Sequence, residues 1–223
     1  MRIYSDDAVE IVLGDCLDVM KAMPDGSVDF VLTDPPYGVG WQSHRRIVRY
    51  DEIANDRTLE WVEPVFAEVF RVLKPDSLCL SFYGWPEVDL FVSAWKRVGF
   101  ALKSHVVWVK TAFGLGWFTR VQHEQAFLLA KGEPKKPDVA PPDVVKAAGT
   151  GNELHPSQKP MDALAPYITA YTKPGDVVLD PFMGSGSTLR ACKELGRRAI
   201  GIEIDERYAQ TAAERMAQQV FAW

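Results

Sequence analysis

Short apolar runs alternate with longer segments of helical periodicity along most of the chain. The apolar runs predict strands at Val9–Leu13, Val28–Thr33, Leu78–Tyr83, His105–Lys110, Glu124–Ala130, Val177–Asp180 and Ala199–Ile204. Apolar residues at helical spacing predict helices at Leu59–Leu73, Glu87–Val98, Met161–Tyr171, Ser187–Leu195 and Glu206–Gln219. Strands that alternate with helices in this way are typical of an α/β fold, in which helices connect the strands of one sheet.

Two stretches lack this periodicity and are predicted to be long loops. The first, residues 38–57, contains four arginines, and the second, residues 132–154, is rich in proline, lysine, glycine and aspartate. Loops of this length inside a compact domain are usually functional. We therefore predict a single domain over residues 1–223 with two functional loops inserted in it.

The composition fits one globular domain: of 223 residues, 47% are hydrophobic and 25% are charged. No apolar stretch approaches the roughly 20 residues of a membrane helix, and the first residues lack the apolar core of a signal peptide. Three widely spaced cysteines and four histidines show no metal-ligand spacing. These features predict a cytoplasmic protein without a metal. We also predict that Trp85, Trp95 and Trp108 lie in the core. Because the net charge is −5, nucleic-acid binding would require a local basic patch.

A glycine loop follows the predicted strand Val177–Asp180 and leads into a predicted helix. Its residues are Pro181, Phe182, Met183, Gly184, Ser185, Gly186, Ser187 and Thr188. Open α/β sheets bind ligands at this place, beyond the carboxyl end of a strand. About twenty residues later Glu203 lies at the end of the next predicted strand, where its carboxylate can accept hydrogen bonds from a ribose diol. We interpret the loop as a cofactor site.

The charge of Asp180 distinguishes between nucleotide cofactors. A carboxylate beside the loop would repel the diphosphate of NAD, and it would attract a ligand that carries a sulfonium and an ammonium group. The loop also lacks the third glycine of the dinucleotide fingerprint, because position 189 is Leu189. The sequence therefore predicts S-adenosylmethionine as the cofactor.

The predicted strand Val28–Thr33 runs directly into Asp34, Pro35, Pro36 and Tyr37. The two prolines fix the backbone and donate no hydrogen bond, so the loop presents acceptors in set directions. The Asp34 carboxylate and the Pro35 carbonyl can hold both hydrogens of an amino group on a nucleic-acid base, and Tyr37 can stack on that base. We predict that these four residues form the catalytic loop.

Five segments, spread over nearly the whole chain, match one family in their order: Gly14–Asp18, Ser27–Tyr37, His155–Pro160, Asp180–Thr188 and Gly201–Asp205. With the catalytic loop before the cofactor loop, the chain resembles the beta class of DNA amino-methyltransferases. The resemblance implies a Rossmann-like methyltransferase fold that depends on S-adenosylmethionine and is circularly permuted. It implies a seven-stranded, mostly parallel sheet with one antiparallel strand and helices on both faces.

The resemblance also implies roles for individual residues. Asp15 and Cys16 would contact the adenine of the cofactor, although an aspartate after a strand can also simply cap a helix. Asp180 would lie by the methionine end of the cofactor, and Lys159 would lie near its pocket. The predicted cofactor site comprises Asp15, Cys16, Asp34, Lys159, Asp180, Pro181, Phe182, Gly184, Ser185, Gly186, Ser187, Thr188 and Glu203.

An aspartate at position 34 is typical of enzymes that methylate N6 of adenine. The resemblance therefore implies a site-specific adenine-N6 DNA methyltransferase, which flips the target base out of the duplex and transfers the methyl group directly. Cytosine N4 is the alternative acceptor, for which serine at this position is more typical. Methylation of an RNA or protein amine, and a non-catalytic cofactor-binding subunit of a larger methylase, are further alternatives.

Double-stranded DNA is the expected partner, and members of this class often form homodimers. Target recognition would fall to the two predicted loops, 38–57 and 132–154. The residues predicted to contact DNA are Arg45, Arg46, Arg49, Trp117 and Arg120. The glycine-rich segment 114–120 resembles that of compact, often phage-borne members, which favours a stand-alone methylase without a matching nuclease domain.

Overall fold

The computed structural model describes residues 1–37, 59–114, 118–148 and 159–218. Within these ranges the strands are β1 (Arg2–Ser5), β2 (Val9–Leu13), β3 (Val28–Thr33), β4 (Leu73–Tyr83), β5 (Ala101–Lys110), β6 (His123–Lys131), β7 (Val144–Ala147), β8 (Val177–Asp180) and β9 (Arg198–Glu203). The helices of the same ranges are α1 (Cys16–Lys21), α2 (Val62–Val72), α3 (Val88–Val98), α4 (Met161–Tyr171), α5 (Ser187–Glu194) and α6 (Glu206–Ala217). A short 3-10 turn at Trp85–Glu87 connects β4 to α3.

The nine strands of the described ranges form one sheet in the order β1-β2-β9-β8-β3-β4-β6-β5-β7. From β2 through β9, β8 and β3 to β4, each strand runs parallel to the next. β6 runs antiparallel to both β4 and β5, and β1 runs antiparallel to β2 at the outer edge. The carboxyl ends of the parallel strands therefore lie at the same edge of the sheet as the amino end of β6.

The sheet has a topological switch point between the neighbouring strands β8 and β3, where the strand order reverses. From β3 the chain proceeds to β4 on one side, whereas from β8 it proceeds to β9 on the other. A crevice forms at such a reversal, outside the carboxyl ends of the two strands, and it is where open α/β sheets bind ligands. β3 ends directly before Asp34, and β8 ends at Asp180. The sheet thus brings the predicted catalytic and cofactor loops together.

Helices cover both faces of this sheet. On one face the core joins strand residues such as Phe30 to Leu164 of α4, and it includes residues of α5 and α6. On the other face Val31 of the same strand packs in a core with Phe66 of α2 and Phe91 of α3. Because β3 is buried on both faces, its sequence is an almost unbroken apolar run.

The predicted fold class is confirmed, and every predicted strand and helix is present in the described ranges with modest changes at its ends. The inner seven strands contain the expected single antiparallel strand, β6. The described sheet nevertheless has nine strands and not seven, because β1 and β7 extend it at its two edges. Each edge strand pairs on one side only, so a short and partly exposed segment suffices to form it.

The prediction of an uninterrupted loop over residues 132–154 is corrected by β7, which lies within that range. β7 pairs parallel with β5, from Val107 opposite Val144 to Lys110 opposite Ala147. Four residues among prolines and charged side chains are too few for periodicity to be recognised. Residues 149–154 and the other predicted loop, 38–57, lie outside the described residues.

Two of the three tryptophans predicted in the core, Trp95 and Trp108, are buried, whereas Trp85 is 71% exposed. Trp85 lies in the 3-10 turn directly after β4, at the edge of the sheet that carries the catalytic loop. Its position beyond the end of the strand explains the wrong prediction. No helix in the described ranges is long and apolar enough to cross a membrane.

Candidate active site

The glycine loop after β8 makes a sharp turn into α5. Gly184 and Gly186 have φ angles of 52° and 79°, in the left-handed region that favours glycine. Gly186 is the N-cap of α5, and a Cβ atom added there would lie 3.1 Å from the Cβ atom of Ala212 on α6. The remaining predicted residues lie in the same turn and the start of α5: Pro181, Phe182, Ser185, Ser187 and Thr188.

Glu203 at the end of β9 is held against this loop. Its Oε2 accepts a hydrogen bond of 2.9 Å from the Gly184 backbone N–H, and its Oε1 accepts one of 2.9 Å from Asp205. Burial raises the pKa of the Glu203 carboxyl, although the backbone donors oppose that effect. The structure therefore brings together the glycine loop and the acid that the sequence placed about twenty residues later.

Asp180 is a buried carboxylate that links β8 to β3. Its Oδ1 accepts hydrogen bonds of 3.1 Å from the Thr33 hydroxyl and of 3.1 Å from the Phe182 backbone N–H. Burial raises the pKa of Asp180 to about 7, and the negative charge of Asp34 adds to this increase. A positively charged ligand beside Asp180 would be favoured because it would restore the ionised form.

Asp15 follows β2 at the same edge of the sheet. Its Oδ1 accepts hydrogen bonds from the backbone N–H groups of Leu17 at 2.8 Å and Asp18 at 3.4 Å, so it caps α1. Next to it, burial and the charge of Asp15 raise the pKa of the Cys16 thiol to about 12, which keeps the thiol neutral. The capping role is thus present, and both capping bonds leave the second carboxylate oxygen for another donor.

The predicted catalytic loop directly follows β3 and packs against the end of β4. The Tyr37 hydroxyl donates a hydrogen bond to Asp34 Oδ1. A Cβ atom added at Gly84 would lie 2.8 Å from the Cβ atom of Tyr37, so the loop rests closely on the backbone there. Asp34, Pro35 and Tyr37 therefore lie together, beside the crevice at which Asp180 ends its strand.

Asp34 belongs to an ion network that the sequence did not predict. Lys159 Nζ forms an ion pair with Asp34 Oδ2 and lies 2.9 Å from Glu124 Oε2. Glu124 Oε1 in turn lies 2.5 Å from Lys110 Nζ. The contact between Lys159 and Asp34 joins residues 125 positions apart in the sequence. Glu124 lies among polar residues at the start of β6, between His123 and Gln125, so no local feature of the sequence marks it as part of this network.

The pKa directions in the network follow from burial and pairing. Burial raises the pKa of Asp34, and Lys159 only partly offsets that increase. Burial also acts to raise the pKa of Glu124, but the ammonium groups of Lys159 and Lys110 outweigh it and lower this pKa. Burial acts to lower the pKa of Lys159, and the two carboxylates outweigh it and raise this pKa. Burial and the neighbouring acids raise the pKa of Tyr37, so its hydroxyl stays protonated.

Of the residues predicted to contact DNA, Arg45, Arg46, Arg49 and Trp117 lie outside the described residues. Arg120 is described and exposed, in the hairpin between β5 and β6. The hairpin extends beyond both strands, since the Gly114 N–H donates to the Val121 carbonyl over 2.6 Å. Phe113 and Phe118 on it are exposed. Because β5 ends and β6 begins at the edge that carries the catalytic loop, the hairpin projects from that edge.

Within the described ranges, no group of three or more histidine, cysteine, aspartate or glutamate residues is arranged to hold a metal ion.

Comparison with known proteins assigns the chain to a family. The family model N6_N4_Mtase, described as DNA methylase, matches residues 28–214. YubD of Escherichia coli (strain K12), which carries the name methylase, is 45% identical over 206 residues, or 92% of this chain and 89% of YubD. The DNA adenine methyltransferase YhdJ of the same organism is 29% identical in an alignment 254 residues long, and this alignment covers 96% of this chain and 84% of YhdJ.

Solved structures show the same fold. The M1.HpyAVI–SAM complex has a TM-score of 0.72 and 27% sequence identity, with 93% of this chain and 99% of that chain covered. The PvuII DNA methyltransferase, described as cytosine-N4-specific, has a TM-score of 0.79 and 20% identity, with 98% of this chain and 90% of that chain covered. At 20% identity, the second comparison concerns the fold alone.

The fold and the site define a DNA methyltransferase that depends on S-adenosylmethionine. The chain belongs to the N6/N4 DNA methylase family. The residues at the crevice fit this cofactor: the buried Asp180 has a raised pKa and suits a cationic partner, and Glu203 is fixed beside the glycine loop.

Proposed function

We propose that the protein is a site-specific methyltransferase that acts on N6 of adenine in double-stranded DNA. The observation that carries this proposal is the placement of Asp34, a largely but not fully buried carboxylate held by Tyr37 and Lys159 beside the crevice of the sheet. An aspartate at this position is typical of adenine enzymes in the class that the chain resembles. YhdJ, which is named a DNA adenine methyltransferase, aligns with nearly the whole chain.

The chemistry requires an amino group to act as a nucleophile. The lone pair of adenine N6 is delocalised into the ring, so the planar amine reacts poorly. Asp34 and the Pro35 carbonyl accept its two hydrogens and favour a pyramidal nitrogen whose lone pair is directed at the methyl group. S-adenosylmethionine would supply that methyl group as an electrophile on its sulfonium sulfur. The N–CH3 bond forms as the S–CH3 bond breaks, S-adenosylhomocysteine leaves, and the nitrogen then loses one of its two hydrogens as a proton. Because the acceptors are fixed before the reaction, they stabilise the positive charge that develops on nitrogen.

Cofactor binding is proposed to use the residues that meet at the crevice. Glu203 would accept hydrogen bonds from the ribose, and Asp180 would lie by the positively charged methionine end. Asp15 would use its free carboxylate oxygen toward the cofactor adenine, next to Cys16. The turn between Pro181 and Thr188 would place backbone N–H groups and small side chains against the cofactor. No metal takes part in direct methyl transfer.

The target base must leave the duplex to reach Asp34, which costs a few kcal/mol of stacking and pairing. Tyr37 is proposed to stack on the flipped base, and the hairpin with Phe118 and Arg120 to contact the duplex. Stacking of this kind contributes about 1–3 kcal/mol per base. The predicted DNA contacts also include Arg45, Arg46, Arg49 and Trp117. A homodimer remains the predicted assembly.

Cytosine N4 is the second candidate acceptor, because the fold also occurs in an enzyme described as cytosine-N4-specific. The deciding experiment incubates the purified protein with labelled S-adenosylmethionine and unmethylated genomic DNA and identifies the product by nucleoside mass spectrometry. N6-methyladenine is the expected product. N4-methylcytosine would be compatible with Asp34 and the Pro35 carbonyl as amino-group acceptors and would refute the adenine assignment. An unlabelled DNA pool, with cofactor binding intact, would point to another acceptor or to a non-catalytic subunit.

A further inference from the structure

A line of alternating charges connects the catalytic loop to the β5–β6 hairpin. It begins at Asp34, continues through the Lys159 ammonium to Glu124, and ends at Lys110. The distance is 2.9 Å from Lys159 Nζ to Glu124 Oε2 and 2.5 Å from Glu124 Oε1 to Lys110 Nζ. Two carboxylates and two ammonium groups therefore alternate, and their charges sum to zero.

Lys159 is deeply buried for a lysine, since its side chain is 5% exposed. Its Nζ also lies 4.7 Å from the ring centroid of Phe82, so an apolar ring forms part of its surroundings. Desolvation opposes an ammonium group in such a place, and buried ion pairs are often no more stabilising than apolar side chains of the same volume. The stability of the fold therefore does not by itself account for this lysine.

The contacts of Lys159 account for the geometry of Asp34. Oδ1 accepts from the Tyr37 hydroxyl, and Oδ2 accepts from Lys159. A carboxylate has about four lone-pair sites, so each oxygen keeps capacity for an amino hydrogen. Two donors from different segments fix the plane of the Asp34 carboxylate before any base arrives.

The contacts of Lys159 also account for the negative charge of Asp34. The groups that face Asp34 are Tyr37 on its own loop, Lys159 before α4, Glu124 on β6 and Asp180 at the end of β8. Tyr37 is neutral, and two of the others are acids. Burial and these acids act to keep Asp34 protonated, and Lys159 is the described cation that opposes them.

We propose that Lys159 and Glu124 are positioning residues of the catalytic loop. Lys159 keeps the Asp34 carboxylate ionised and aimed at the amino group, and Glu124, with Lys110 behind it, holds Lys159 in place. Neither side chain is assigned a contact with the reacting atoms, so both act through Asp34. This inference rests on the proposed role of Asp34 as an acceptor for the amino group.

The test measures kcat for DNA methylation at saturating cofactor and DNA from pH 6 to pH 9. In Lys159→Gln, the acid limb of the profile is expected to move up by at least one pH unit. Below the new midpoint the rate then falls about tenfold for each pH unit, because only ionised Asp34 accepts the amine. Activity is therefore expected to recover at alkaline pH, and the cofactor Kd is expected to change less than kcat.

Three further variants separate charge from structure. Glu124→Gln removes a negative neighbour but keeps a carbonyl oxygen that accepts from Lys159 and holds it in place. Its acid limb is therefore expected to move down, opposite to that of Lys159→Gln. Lys159→Arg keeps the positive charge and is expected to restore the acid limb of the wild type. Lys103→Gln is the matched control, because Lys103 pairs with the exposed Glu133 on the surface and should leave the profile unchanged.

A second readout needs neither turnover nor DNA. The carboxyl carbon of Asp34 is followed by NMR in protein labelled at the aspartate side chains, and Asp34→Asn assigns the signal. In Lys159→Gln this signal should titrate at a higher pH than in the wild type, and in Glu124→Gln at a lower pH. If Lys159→Gln does not fold, the shift in Glu124→Gln decides.

The proposal is overturned if Lys159→Gln loses the same factor of activity at every pH while Asp34 titrates as in the wild type. It is equally overturned if only the cofactor Kd changes. Should the wild type methylate no DNA, the proposed function fails, whereas the Asp34 titration still decides whether Lys159 and Glu124 position that carboxylate.

Discussion

Replacing Asp180 by asparagine is expected to raise the stability of the cofactor-free protein at alkaline pH. Burial is the largest cause that raises the pKa of Asp180 from 3.8 to about 7, and Asp34 adds to it. The folded state therefore binds a proton at Asp180 more tightly than the unfolded chain does. This tighter proton binding makes the folded state more stable at low pH than at alkaline pH. The stabilisation is lost as the pH rises from about 4 through about 7.

The size of this effect follows from the two pKa values. Their difference of about three pH units, at about 1.4 kcal/mol for each unit, corresponds to roughly 4 kcal/mol of destabilisation above pH 7. Asparagine keeps Oδ1, which accepts from Thr33 and Phe182. Its amide NH2 replaces Oδ2, and the Thr188 hydroxyl that bonds to Asp180 can accept from it instead. Allowing about 1 kcal/mol for less favourable geometry, the net gain is about 3 kcal/mol.

The assay is urea unfolding of the wild type and Asp180→Asn, without cofactor, at four pH values from 5 to 8. The difference in free energy of unfolding should grow with pH, and at pH 8 it corresponds to a rise in Tm of roughly 6–12 °C. Saturating S-adenosylmethionine should narrow the difference, because its positive charges compensate the carboxylate of the wild type and stabilise it by binding.

Asp6→Asn serves as the comparison because its sign is reversed. Partial burial acts to raise the pKa of Asp6, but hydrogen bonds from Lys193 and Tyr4 outweigh it and lower the pKa to about 2. This variant should lose stability, and the loss should be complete above pH 4 and disappear toward pH 2. A constant difference between Asp180→Asn and the wild type from pH 5 to 8, or a less stable variant at pH 8, would refute the electrostatic reasoning.

Three further outcomes follow from the site. Asp34→Ala should lower kcat by about 10²–10³-fold, as loss of one preorganised group does, while the cofactor Kd from calorimetry stays within a few-fold of the wild type. Near-normal turnover would exclude Asp34 as an acceptor for the amino group. Glu203→Ala should weaken cofactor binding by about tenfold or more, as expected for hydrogen bonds to a charged group, and an unchanged Kd would remove Glu203 from the ribose. Arg120→Ala should weaken DNA binding in a mobility-shift titration and reduce the salt slope by about one, and an unchanged slope would mean that Arg120 makes no phosphate contact.

The long and strongly patterned elements could be predicted from the sequence because local periodicity reports burial directly. β3, β8 and α4 have the bounds that their apolar residues predict. The elements that were missed, β1, β7 and α1, are four to six residues long, so each contains at most two periods of its own pattern. β7 also depends on pairing with the distant strand β5, which no local window contains.

The turn-type residues Lys74, Pro75 and Asp76 correspond to an irregularity inside β4. β4 begins at Leu73, but its register with β3 shifts between the pairs Val28–Leu73 and Phe30–Leu78, so these three residues have no partner on β3. Asp76 has a φ of 57°, which is uncommon for a residue other than glycine. Its Oδ1 accepts from the Glu133 backbone N–H at 2.8 Å, beyond the end of β6. Aspartate adopts such a conformation more often than most residues do, and the contact with Glu133 across the sheet adds support to it.

The site was predictable to the extent that each loop carries its own chemistry. Prolines, glycines and acids in the local sequence predict the catalytic and cofactor loops, and the parallel sheet brings both loops to one edge. Glu124 and Lys110 carry no such local signal, because their role arises from the antiparallel β5–β6 hairpin. That hairpin sets the start of β6 beside the ends of β3 and β4, and so places Glu124 within reach of Lys159.

The acids of the crevice fall into two groups that differ in how their charge is balanced. Asp34 and Glu124 pair with Lys159, which belongs to the protein, whereas among the described residues neither Asp180 nor Glu203 forms an ion pair. In the proposed reaction, positive charge appears beside Asp34 only during methyl transfer, so that carboxylate needs a resident cation to stay ionised until then. In the proposed cofactor site, positive charge arrives beside Asp180 with the ligand itself. An unpaired, buried Asp180 destabilises the empty protein, and the same property makes it a strong partner for a cationic cofactor.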